Sequence, residues 1–237
     1  MIVKSVLSIL MATAAVVPAM DAANPTCPSQ PDWSDNREMQ LTPQTRDGKT
    51  VLLAEGAIDA GLPARLRDAL AANPDVEEIW LRSPGGNALA GNSAGRIIRS
   101  HLETHGVPLL TRIPAGWTCF SACNFMFMGG VSRIIEPGGV YMVHMFTFTG
   151  DRGAIRYNVE QGTDATVALI GDVEQESALL ASEDNDFLIR MGVSRRLLTE
   201  IMYQQRAVAS GTTPAQRYCL SLAEATEYNV HAPPSFE

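Results

Sequence analysis

The chain has 237 residues, 46% of them hydrophobic and 19% charged, with a formal net charge of −8. That length and balance give one domain with a proper core and argue against a disordered chain. Only 18 residues are Lys or Arg and they form no cluster, which argues against a nucleic-acid partner.

Lys4 precedes an apolar run from Val6 to Val17, and small residues follow at Val17-Pro18-Ala19 and Ala22-Ala23. One cation, a short apolar core and a small-residue cleavage site predict a signal peptide over residues 1–22. The core is shorter than the roughly 20 apolar residues of a membrane span. The mature protein is therefore expected in the periplasm or outside the cell, with no stable membrane span. Residues 23–45 read as an N-terminal arm, mobile where Asn24 to Arg37 is rich in Pro, Ser, Asp and Asn, and residues 46–237 as the folded domain.

Glu38 to Thr42 and Thr50 to Ala54 flank Arg46-Asp47-Gly48-Lys49, the pattern of a hairpin with an Asp-Gly turn. Leu62, Leu66 and Leu70 then repeat at helical spacing until Asn73-Pro74. A strand at Glu78 to Leu81 leads through Ser83-Pro84-Gly85-Gly86 into a helix at Ala88 to Leu102. A further strand, Val107 to Ile113, precedes a serine turn at Ser121, an apolar helical run at Asn124 to Met128, and a strand at Val140 to His144. Beyond a break at Thr149 to Gly153, Val159 to Met191 reads as one long helix or two, and Ser194 to Gln204 as another with Ser194 as its cap. This alternation predicts an α/β fold, its helices covering a mostly parallel sheet.

Four cysteines in an exported chain permit disulfides, with three pairings open. Cys119 and Cys123 bracket Ser121, and Cys27 with Cys219 would join the two ends of the chain.

Ser121 lies between a short strand and a helix, His144 ends an apolar strand, and Pro84-Gly85-Gly86 is a turn whose amides can face outward. Acyl transfer needs these three parts: a hydroxyl, a base and fixed donors for the oxyanion. Ser83-Pro84-Gly85-Gly86, Ser121 and the segment Arg133 to His144 resemble the proteolytic subunit of Clp protease. Closer still is the resemblance to exported Clp-protease-like proteins of bacteria, within the crotonase-like superfamily. It runs from Val51 to Val230 and includes Gly56-Ala57-Ile58 and Glu224-Ala225-Thr226-Glu227-Tyr228. The resemblance implies a fold of repeated strand-helix units with C-terminal helices, and often rings or trimers. It implies Ser121 as nucleophile, His144 as general base, and the amides of Gly86 and Ala122 as the oxyanion hole, with no cofactor.

The family's aspartate falls on Arg217, and no acid stands between Ser210 and Ala223, so the third member of a triad is unassigned. Asp186 and Glu200 remain as acids of the late helices. A Ser–Lys mechanism is disfavoured, since the only lysines are Lys4 and Lys49. His101 and His105 sit at i, i+4 near a helix end, where they serve terminal carbonyls better than a metal. The leading expectation is a serine hydrolase acting on a peptide or protein substrate and able to self-associate. The competing one is a non-catalytic periplasmic binding or scaffold protein on the same fold. A coenzyme A enzyme fits poorly with export.

Overall fold

The alternation of strand and helix resolves into two sheets rather than one. The computed structural model describes residues 19–145, 148–149, 151–204 and 216–234, so most of the expected signal peptide lies outside the described residues. Strands β1 (Gln40–Arg46) and β2 (Lys49–Glu55) form the expected hairpin, turned by Asp47 and Gly48 at φ 49° and 78°. Positive φ at both central residues matches the twist of the flanking strands. The parallel strands β3 (Val76–Arg82), β4 (Leu110–Ile113) and β6 (Ser132–Ile135) complete a sheet of order β1-β2-β3-β4-β6.

The second sheet pairs β5 (Thr118–Phe120) in parallel with β7 (Val140–Val143), and β7 antiparallel with β8 (Tyr218–Cys219). A bridge from Ser83 to Cys119 joins the end of β3 to β5, and so the first sheet to the second.

Helices α1 (Leu62–Ala72) and α2 (Ala88–His105) are the crossovers. Leu62, Leu66 and Leu70 of α1 and Ala90, Ala94 and Ile98 of α2 are buried with Leu52, Ile79 and Leu81 of the sheet. Gly106, at φ 73°, ends α2 three residues later than the sequence suggests. Helix α3 (Cys123–Gly129) meets α2 backbone to backbone. A Cβ on Gly95 would stand 2.3 Å from the Phe125 carbonyl, and one on Gly129 2.4 Å from that of Gly95.

The late segment forms α4 (Arg152–Gln161) and α5 (Thr163–Arg190), divided at Gly162, then α6 (Arg196–Gln204) and α7 (Leu222–Glu227). Phe187, Leu188, Leu197 and Ile201 bring α5 and α6 into the core. Two arginines hold this layer in place. Arg133 donates to the carbonyls of Gly130, Met191, Asn229 and Val230, and Arg99 to those of Met128, Gly130 and Met191. These carbonyls lie at or just past the ends of α3, α5 and α7, where unpaired acceptors and the helix dipole both favour a cation. Burial lowers both guanidinium pKa values, that of Arg133 to about 10.

Both disulfides that the sequence brings forward are present, Cys27–Cys219 and Cys119–Cys123. The first anchors the arm expected to be mobile: Cys27 is fully buried, and Asn24 Oδ1 accepts from the amides of Gln216 and Arg217 at 3.0 and 2.8 Å. The bridge closes a span of 192 residues, where crosslinks restrict the unfolded chain most.

A buried acid organises another part of the main sheet. Glu78 accepts from Arg112 at 2.8 Å, from Lys49 at 3.1 Å and from the Trp80 indole at 2.9 Å, while Arg112 also reaches Glu136 at 3.0 Å. Burial alone would raise the Glu78 carboxyl, but these donors outweigh it and hold it at about 2. Its contribution to stability is therefore complete above about pH 4.5 and is lost as pH falls toward 2. Denaturant unfolding should show Glu78→Gln weaker by about 3 kcal/mol at pH 7, with a flatter loss below pH 4.5. Equal stability of the two proteins at pH 7 would refute the role given to this carboxylate.

Candidate active site

Ser121 occupies the turn between β5 and α3 in the left-handed region, at φ 57°. A serine there is strained, by about 1–3 kcal/mol, and persists only where its surroundings fix it. The Cys119–Cys123 bridge brackets it, with Cα atoms 5.4 Å apart. Because Cys119 lies within β5 and Cys123 opens α3, the i, i+4 pair avoids the geometry of a continuous helix that would strain a bridge. The Ser121 carbonyl accepts from the Asn124 amide at 2.9 Å, and the Phe120 amide donates to Ser83 at 3.0 Å.

The Pro-Gly-Gly turn lies directly on this elbow. A Cβ on Gly85 would stand 2.6 Å from both the Phe120 carbonyl and Ser121 Cβ. One on Gly86 would stand 2.2 Å from the Ile58 carbonyl, and both glycines have positive φ, 85° and 143°. No other residue type can follow this path so closely. Among the described residues, the amides of Gly86 and Ala122 have no hydrogen-bond acceptor.

The end of β7 is tied to the same elbow. The Met142 carbonyl accepts from the Ser121 amide at 3.4 Å and from Asn124 Nδ2 at 2.8 Å. Two residues on, His144 Nε2 lies 2.6 Å from Ser121 Oγ. His144 Nδ1 lies 3.0 Å from the Met145 carbonyl, which can only accept. Nδ1 therefore carries the proton, and the Nε2 lone pair faces the serine hydroxyl. Burial lowers the His144 pKa, against a smaller opposing effect of the Met145 carbonyl. Phe120 packs on the imidazole at 4.9 Å between centroids, and Trp33 of the arm stacks on Phe120 at 5.8 Å.

Ser121, His144, Gly86 and Ala122 all line one cleft of about 330 Å³. The two acids left open by the sequence, Asp186 and Glu200, do not line it. Asp186 pairs with Arg190 and Arg96, and Glu200 with Arg196 and the Tyr228 hydroxyl. Arg217, where the resemblance would place an aspartate, immediately precedes β8, whose Tyr218 pairs with Val143 of β7. Its guanidinium turns to Asp21, at 3.0 Å. At the end of α2, His101 and His105 stack at 4.2 Å, and neither lines the cleft; no cluster among the described residues could hold a metal.

One acid of the cleft has no place in the sequence reading. Asp184 of α5 lines the cleft beside His144, and burial with help from Glu183 raises its carboxyl to about 6. Its signal is the spacing Leu180, Asp184, Leu188: an acid set into an apolar helical stripe.

No protein-family model matches this chain, and no curated protein matches it. Among solved structures, a point mutant of ClpP1 from Listeria monocytogenes is similar at 16% identity and a TM-score of 0.51, over 76% of this chain and 88% of that one. A Ser-to-Ala form of the 1510-N membrane-bound stomatin-specific protease is similar at 14% identity and a TM-score of 0.44, over 76% of this chain and 75% of that one. The fold is thus mixed α/β and ClpP-like.

The elbow geometry has a direct test. Gly85 and Gly116 share nearly the same φ, 85° and 83°, but a Cβ on Gly116 meets nothing within 4 Å. Gly116→Ala should cost only the backbone strain, about 1–3 kcal/mol. Gly85→Ala adds overpacking against Phe120 and Ser121 and should lose a further ~1–3 kcal/mol in denaturant unfolding. Equal losses would show that the elbow yields freely.

Proposed function

We propose that this protein is an exported serine hydrolase that cleaves peptide or protein substrates through a Ser121–His144 pair. The observation that carries the reading is the 2.6 Å contact between Ser121 Oγ and the unprotonated nitrogen of His144. Ser121 Oγ attacks the substrate carbonyl carbon while its proton passes to His144 Nε2. The amides of Gly86 and Ala122 receive the oxyanion, each such donor being worth about 10²–10³ in rate. The Nε2 proton then goes to the leaving amine as the scissile bond breaks, and water, deprotonated by the same nitrogen, releases the acyl group from Ser121. No cofactor enters these steps.

The Met145 carbonyl does part of what a triad aspartate does. It fixes the tautomer, but it brings no full negative charge to the imidazolium, so turnover should be slow for a serine hydrolase. The low pKa of His144 keeps the base neutral at physiological pH.

Export is proposed on the same footing. All four cysteines are in disulfides, a usage typical of oxidising compartments. Among the described residues, no helix is long and apolar enough to cross a membrane. We read residues 1–22 as the signal peptide, 23–45 as an arm and 46–237 as the Clp-protease-like domain. Cleavage after residue 22 removes Asp21, the partner of Arg217, and keeps the Cys27 bridge. Exposed Tyr157, Val159, Val167 and Ile170 on α4 and α5 support self-association.

A second reading, a non-catalytic binding or scaffold protein on this fold, is favoured by one feature: Arg217 stands where the resembled family has its aspartate, and its guanidinium pairs with Asp21. A fluorophosphonate probe separates the two. Hydrolase function predicts labelling of the wild-type protein, none of Ser121→Ala, and a ~10²–10⁴-fold slower reaction of His144→Ala. The labelling rate should rise to a plateau through a midpoint below the usual imidazole value of about 6.5. Absence of labelling in a folded wild-type protein would favour the binder.

A further inference from the structure

The cleft carries a charge that the hydrolytic steps above do not use. Asp184 stands in its wall among apolar side chains, with Leu180 and Leu188 one turn to either side and Leu197 across from α6. The neighbouring acids Asp186 and Glu200 are each held by arginines, whereas Asp184 has no hydrogen-bond or ionic partner among the described residues. A carboxylate set in an apolar wall without a donor is unfavourable unless something supplies one.

The floor of the same cleft holds two further unsatisfied oxygens. Asn124 and Tyr141 both line it and are almost wholly buried. Asn124 Oδ1 and the Tyr141 hydroxyl have no partner, although Asn124 Nδ2 is used on the Met142 carbonyl. Unsatisfied buried polar atoms are rare in native proteins and point to a missing group. The cation acting on Tyr141 is Arg133, whose own donors are committed to backbone carbonyls.

We propose that this cleft takes the basic side chain of a peptide, lysine or arginine, with its methylenes along the leucine wall and its cationic end on Asp184. The proposal rests on reading the cleft as a peptide site. A basic side chain brings an apolar stem and several donors at its tip, which matches an apolar wall with unpaired oxygen acceptors. An aliphatic side chain would bury Asp184 without a donor, and an acidic one would set two carboxylates together. At about 330 Å³ the cleft lies at the small end of ligand pockets (~300–1,000 Å³), suited to one side chain.

The test is binding without turnover, in the full chain carrying Ser121→Ala. Three pentapeptides that differ only at the central residue (lysine, arginine or norleucine) are titrated by calorimetry. Circular dichroism and melting temperature verify the fold of every variant. At least one basic peptide should bind tenfold or more tighter than the norleucine peptide. Adding Asp184→Asn should bring them within about twofold, whereas adding Asp186→Asn should leave the preference intact. Equal binding of all three peptides, no binding of any, or a preference that survives Asp184→Asn would overturn the proposal. So would its equal loss in the Asp186→Asn protein, which would indicate a general field rather than a site. A basic preference that depends on Asp184 supports the pocket whatever the fluorophosphonate result, so failure of the hydrolase reading is seen separately.

Discussion

The backbone at Ser121 is the constraint on which the site depends. A serine in the left-handed region turns its hydroxyl outward at a place where strand gives way to helix, and the turn does not hold itself. It is fixed from three sides: by the Cys119–Cys123 bridge around it, by Gly85 beneath it, and by the Met142 carbonyl beside it. The last of these matters most for chemistry. It fastens β7 to the elbow two residues before His144, so one carbonyl sets the spacing between hydroxyl and imidazole.

The cleft also needs a roof, which comes from a different source. Helices α5 and α6 contribute Leu180, Asp184, Leu188 and Leu197 to the cleft wall, yet much of α5 is exposed. What locates the end of α5 is Arg99 and Arg133, which gather carbonyls at or just past the ends of α3, α5 and α7. Buried cations are normally balanced by acids; here, helix ends supply the negative potential. The arrangement joins the C-terminal helices to the segment that carries Ser121. The positions of Asp184 and Ser121 are thereby linked through backbone atoms.

Much of this architecture was legible in the sequence, where periodicity is strong. The hairpin at Asp47-Gly48, the helices at Leu62 and Ala88, and the parallel β2-β3-β4 core follow from alternation and turn chemistry. The strands on either side of Ser121 were legible, but not their separation into a second sheet, because β5 and β8 have three and two residues and carry no period. The arm was misread for a related reason: its polar composition suggested mobility, but a disulfide and the Asn24 side chain hold it from outside. At the site, the sequence order placed Ser121, His144, Gly86 and Ala122 together, as the structure does. It could not show that the Met145 carbonyl takes Nδ1, since a backbone partner leaves no trace in side-chain identity. Asp184 was masked by its neighbours, Glu183 and Asp186, in a helix whose acids look alike until burial sorts them.

The central claim is that burial keeps His144 neutral while a backbone carbonyl, rather than a carboxylate, takes the Nδ1 proton and leaves Nε2 free to accept from Ser121. Nitrogen-15 NMR of the histidine side chains in the wild-type protein at neutral pH measures this directly. The account predicts that His144 Nδ1 is protonated and Nε2 is not. A proton on Nε2 of a neutral ring, or a fully protonated imidazolium at that pH, would contradict it.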